Sequence, residues 1–104
     1  MTRIRYRTDG RTHSLVVAGH AGYAEEGKDI VCAGISAITY ALLGWIENNR
    51  DKVSFVHTSV GSGEVLVACE GGQEAMTAFE VATIGLEQIA AKYPDNVVVE
   101  YMSR

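Results

Sequence analysis

The sequence predicts an α+β domain whose elements run in the order ββαββαβ, with a mainly antiparallel sheet packed with two helices. Three observations carry that expectation. Two short turn signals are flanked by alternating or β-branched residues, two stretches of helical periodicity each follow a hairpin, and an apolar run, Val97-Val98-Val99-Glu100-Tyr101, closes the chain. At 104 residues the expected organisation is one domain over 1–104, large enough for a single hydrophobic core without disulfide or metal staples. With 47% hydrophobic residues, 21% charged residues, one proline and no low-complexity tract, it should fold along its whole length.

In the first strand Ile4 and Tyr6 alternate with Arg3, Arg5 and Arg7, and Asp9-Gly10 leads into His13-Ser14-Leu15-Val16-Val17. Pairing around Asp9-Gly10 sets Tyr6 opposite His13 and Ile4 opposite Leu15, with the three arginines on the solvated face. Gly19 through Lys28 holds three glycines and no sustained periodicity, which makes it a loop of about ten residues, a length usually kept for function. Asp29 then caps a helix from Ile30 to about Asn48, ended by Asn48-Asn49. Its apolar residues go nearly all the way round, so deep burial is expected, against the sheet, the other helix or a second subunit.

Val53 to Val60 and Glu64 to Glu70 flank Gly61-Ser62-Gly63 as a second hairpin, with Val56, Val60, Leu66 and Ala68 expected on the face opposite Phe55 and Cys69. Gly71-Gly72 breaks that strand. Between Gln73 and Lys92, Ala75, Met76, Phe79, Ala82, Leu86, Ile89 and Ala90 recur at helical intervals, and Pro94 stops the helix. The pattern leaves the strand order open.

A net charge of −4 gives no electrostatic footprint for nucleic acid or an anionic membrane, though it would attract a basic partner. The first residues lack the apolar core of a signal peptide, and the uncharged run from Ile30 to Ile46 is slightly short for a spanning helix and is interrupted by Gly34, Ser36, Thr39 and Gly44. A cytoplasmic location with no membrane partner is expected. Cys32 and Cys69 form no Cys-x-x-Cys pair, and a cytoplasmic setting disfavours a disulfide.

The informative segment is Gly19 to Cys32, a glycine-rich loop joined to a helix start and holding one histidine and one cysteine. With Asp29 as N-cap, Cys32 is the third helical residue, where unpaired backbone N–H groups and the helix dipole stabilise a thiolate. His20, on a loop able to fold back across the helix end, could complete a Cys/His ion pair. Each residue also has a plainer reading. A cysteine at a helix start is commonly small packing, Asp29 is explained by capping alone, with orientation of His20 as a second task, and Ser36, one turn beyond Cys32, could simply bond a carbonyl. Cys69 fits a core position better than a reactive one, and His13 and His57 fit core or edge strand positions. A zinc site from His20, Cys32, His57 and Cys69 lacks close ligand spacing. The glycine loop matches neither a phosphate loop nor a dinucleotide fingerprint.

Taken together, Gly19-His20-Ala21, Gly27, Asp29-Ile30-Val31-Cys32-Ala33 and Ser36 resemble the signature of the ribosomal-processing cysteine protease family, Prp. Element order, Ile84-Gly85-Leu86, Tyr93-Pro94 and the short last strand extend the resemblance over nearly the whole chain, and Gly34-Ile35 is a mild departure. The resemblance implies a small homodimeric bacterial cysteine protease that removes an N-terminal extension from a large-subunit ribosomal protein during ribosome assembly. By matching position it implies Cys32 as nucleophile and His20 as base, with Asp29 and Ser36 in supporting positions and Gly19, Gly22 and Gly27 in the substrate loop. It implies no metal and no organic cofactor. Backbone N–H groups at the start of the first helix are the expected oxyanion donors. Two readings from other classes stand beside it: a noncatalytic dimeric assembly factor that uses the loop only to bind, and a lone peroxide-sensitive thiol at Cys32.

Overall fold

The computed structural model describes residues 1–102. Its elements are β1 (Thr2–Asp9), β2 (Thr12–Ala18), α1 (Ile30–Asn48), a short 3-10 turn (Arg50–Lys52), β3 (Val53–Gly61), β4 (Glu64–Gly71), α2 (Gln73–Lys92) and β5 (Val97–Tyr101). The five strands form one sheet in the order β3-β4-β2-β1-β5, antiparallel throughout except that β1 runs parallel to β5. That one parallel pair follows from connectivity, because the chain crosses over through α2 before reaching β5.

The first hairpin closes one residue later than its sequence suggests. Asp9 pairs with Thr12, so Gly10 and Arg11 form the two-residue loop, and Gly10 takes the left-handed φ of 61° that such a turn asks of its first central residue. Tyr6 therefore faces Leu15, Ile4 faces Val17, and His13 faces Thr8 rather than Tyr6. Because the register moves by two residues, every side chain keeps its face. Ile4, Leu15 and Val17 are buried, while Arg3 and Arg5 remain exposed.

Both helices cover the same sheet face. The core joins Ile4, Leu15, Val17, Val67 and Cys69 of the sheet to Val31, Ile35, Leu42 and Ile46 of α1 and Phe79, Ala82 and Leu86 of α2. His13 belongs to this interior: fully buried, it stacks on Phe79 and its Nε2 donates to the Gly71 carbonyl. A carbonyl can only accept, so Nε2 carries the proton and Nδ1 accepts from the Thr8 hydroxyl.

Two expectations about apolar faces need correction. Val60 pairs with Val65 and Val56 packs against the core, so both lie on the side of Cys69; of the four residues, Leu66 and Ala68 alone occupy the opposite face. The cause is a bulge between Ser54 and His57, with Phe55 at φ 50° and exposed, which the alternating pattern does not reveal. Within the single chain α1 is also less deeply buried than expected. Only the stripe Val31, Ile35, Thr39, Leu42 and Ile46 is buried, and Ile30, Ala33, Ala37, Tyr40 and Ala41 are exposed.

Candidate active site

The site is built around the start of α1. Asp29 Oδ1 accepts from the N–H groups of Val31 and Cys32, both at 2.9 Å, while its Oδ2 accepts from Tyr23 at 3.0 Å and Ala24 at 3.3 Å. One carboxylate thus caps the helix and fastens the middle of the preceding loop to it. The backbone donors, Cys32 foremost, hold the Asp29 carboxyl below its ordinary range. With both oxygens engaged by backbone, Asp29 makes no hydrogen bond to His20; its influence passes through the loop.

Cys32 is half-buried on the first turn of α1, at the position the sequence assigns it. Its Sγ accepts a hydrogen bond from the Ala21 backbone N–H at 3.4 Å, which brings the loop over the thiol. His20 is exposed and sits just beyond the end of β2. Gly19, the hinge between them, donates to the Gly63 carbonyl at 2.8 Å and has φ 88°. A Cβ there would come within 2.6 Å of the Met1 carbonyl oxygen, so the close approach as well as the conformation requires glycine. On the other side, His20 Nε2 lies against Gly63 in the β3–β4 turn.

His20, Cys32 and Ser36 together line two adjoining cavities. The smaller, about 210 Å³, has apolar walls from Val17, Ile35, Tyr40 and Val65, with Glu64 among its lining residues. The larger, about 520 Å³, is bounded by the loop, including Gly22, Ala24, Glu26 and Gly27, and by Asp29 and Ala33 of the α1 start. A more spacious apolar groove of about 720 Å³ lies between α1 and α2, but no cysteine or histidine lines it.

The remaining sequence candidates separate. Cys69 is buried in the core and burial pushes its thiol up, His57 is exposed on the edge strand β3, and His13 is committed to Thr8 and Gly71. Among the described residues no cluster of three or more His, Cys, Asp or Glu side chains is placed to hold a metal ion. The oxyanion expectation changes too: the Val31 and Cys32 N–H groups are taken by the Asp29 side chain and that of Ala33 by the Asp29 carbonyl. The N–H aimed at the sulfur comes from Ala21. Sequence reasoning also missed Asn96, whose Nδ2 donates to the Ala21 carbonyl at 2.9 Å. No linear spacing relates positions that far apart.

Residues 1–98, which hold this glycine loop, its histidine and the capped helix start with Cys32, match the family described as cysteine protease Prp. The chain belongs to that family. Among its relatives, the ribosomal processing cysteine protease Prp of Mycoplasma genitalium is 39% identical over 85 residues, which covers 82% of this chain and 84% of that protein. The protein of the same name from Bacillus subtilis is 30% identical and covers 92% of this chain and 91% of its own. In fold, the chain is similar to the ribosomal processing protease Prp of S. aureus solved with a covalently linked product peptide, with a TM-score of 0.85 at 23% identity over 98% of this chain and all of that one. As a Prp member this chain is a cysteine protease.

Proposed function

We propose that residues 1–104 form one cysteine protease domain that removes the N-terminal extension of a bacterial large-subunit ribosomal protein, with Cys32 as nucleophile and His20 as general base. The observation that carries this reading is the shared position of the two side chains: both face the same two adjoining cavities, so a peptide running from one into the other presents its scissile bond to them. The names of the relatives from M. genitalium and B. subtilis support the choice of a ribosomal substrate.

In this mechanism His20 takes the Cys32 proton and the thiolate attacks the scissile carbonyl carbon, pushing the carbonyl electron pair onto oxygen. Collapse of the tetrahedral intermediate breaks the C–N bond as imidazolium delivers its proton to the leaving amine. His20 then deprotonates water, which attacks the thioester and releases the acyl segment with return of the thiol. No metal or organic cofactor takes part. Asp29 supports the site by fixing the loop and helix start, and Ser36 borders both cavities. Gly19, Gly22 and Gly27, all at positive φ, shape the substrate loop.

The enzyme acts as a cytoplasmic homodimer that binds neither nucleic acid nor membrane. Exposed Val81 and Ile84 of α2, beside the α1–α2 groove, provide apolar surface for a second subunit. The test is to incubate extended ribosomal protein with wild-type enzyme and with Cys32→Ala. Acyl-enzyme trapped on Cys32 and loss of the extension support the protease role. Binding without cleavage supports a noncatalytic assembly factor instead.

A further inference from the structure

We propose that Asn96 is a positioning residue of the active site: it holds Ala21 so that the Ala21 N–H stabilises the oxyanion formed when Cys32 attacks. The proposal rests on the reading of Cys32 as nucleophile and goes beyond it by assigning the charge-stabilising donor and its support.

Three of the backbone donors at the α1 start are already engaged. Asp29 already occupies the N–H groups of Val31, Cys32 and Ala33. The N–H directed at Sγ belongs to Ala21, at 3.4 Å. Once the scissile carbon bonds to sulfur, its oxygen lies two bonds from Sγ, and that oxygen is the proposed partner of this N–H; effective oxyanion donors stand about 2.7–3.1 Å from it.

A donor helps in proportion to how firmly it is held, since orientation then costs nothing at the moment of reaction. Ala21 lies between two glycines at φ 88° and 70° in a loop with little regular structure, yet it is only 2% exposed. Its N–H is engaged by Sγ and its C=O, on the next peptide, by Asn96 Nδ2 at 2.9 Å. Asn96 is itself fixed twice by backbone: its N–H donates to the Tyr93 carbonyl at 3.0 Å, and its carbonyl accepts from Thr2 at 2.8 Å. The Tyr23 ring meets the Tyr93 ring edge-on at 5.2 Å, giving the same turn a second hold on the loop. The turn between α2 and β5 is therefore a rigid buttress behind the loop.

Asn96→Ala removes the amide, and Asn96→Asp keeps its shape but replaces the donor with an acceptor. Each variant is checked for folding by circular dichroism and assayed for kcat and KM on an extended peptide. A peptide aldehyde, which adds to the thiol and places an oxyanion-like oxygen at the site, reports transition-state affinity. The affinity of the uncleaved peptide is measured in the Cys32→Ala background. Both variants should lower kcat and aldehyde affinity by about tenfold or more, with KM and uncleaved-peptide affinity within about twofold of wild type. Folded variants with wild-type kcat and aldehyde affinity overturn the proposal, as does a loss confined to KM and peptide affinity. A wild-type enzyme that neither cleaves peptide nor binds the aldehyde refutes Cys32 as nucleophile, which is a different failure.

Discussion

At the scale of single residues the two thiols differ in surroundings and should differ in chemistry. Cys32 is half-buried, borders two open cavities and receives an N–H, whereas Cys69 is enclosed in the core with its thiol pushed up by burial. Peptide mapping after brief iodoacetamide treatment of native protein should show the first label on Cys32; equal or earlier labelling of Cys69 counts against the site. Cys32→Ala should fold normally and have no turnover, and His20→Ala should lose most of its activity. Asp29 gives a pH prediction. Its backbone donors favour the ionised form in the folded state, so its contribution is complete above the unfolded carboxyl value of about 3.9 and fades as pH falls through the lower folded value. Acidification through that lower folded value should release the loop and first turn, while titration of Asp29 should leave neutral-pH activity untouched. In Asp29→Ala, Ala21-to-Ala24 amides should exchange faster already at pH 7; unchanged exchange would remove the anchoring role. The capping, the helix start and the placement of Cys32 were legible because Asp-x-x-Cys fixes them locally.

Among the elements, the loop from Gly19 to Lys28 carries the conditional part of the site. Gly63, Asn96 and Asp29 hold it as far as Ala24, but beyond that Glu25 and Lys28 are joined by one backbone hydrogen bond and an exposed ion pair, the latter worth little in water. Hydrogen exchange across this loop should slow when Cys32→Ala enzyme binds uncleaved substrate, and unchanged exchange at saturation would reject a gating loop while leaving the proposed Cys32/His20 pair open. Gly19→Ala, which meets the Met1 carbonyl and a disfavoured φ together, should cost roughly 1–3 kcal/mol by chemical denaturation. A wild-type midpoint would mean that the β2 end shifts to accommodate the methyl group. The element boundaries were readable because Gly10, Gly71-Gly72 and Pro94 punctuate strong periodic segments. The register of the first hairpin and the bulge at Phe55 were not, since each depends on which residue adopts a positive φ, and a dipeptide signal names the turn without fixing its first residue.

For the whole molecule, the parallel β1–β5 pair joins sequence ends to the middle of the machinery. Thr2 bonds Asn96, Asn96 bonds Ala21, and Ala21 covers Cys32, so the Gly19–Lys28 loop is tied through residues from both ends of the fold. Such long-range ties could not be read from sequence, because nothing in the pattern specified the order of the strands. The same limit applied to α1, whose composition suggested cover on more than one side, by the sheet, the other helix or a second subunit, while within the single chain one stripe is buried. A second subunit is the expected cover for part of the rest, and light scattering should report a dimer mass for the active enzyme; an active monomer would remove the dimer. Charge makes a further prediction. With a net charge of −4 and Glu26 and Asp29 bordering the larger cavity, association with a basic substrate should weaken as salt rises, seen as a higher KM. The central claim is tested most directly by intact mass measurement of extended and unextended ribosomal protein after incubation with wild-type and Cys32→Ala enzyme. The expected result is shortening of the extended form alone, by wild-type enzyme alone. Shortening by Cys32→Ala, or no shortening by wild type, would contradict it.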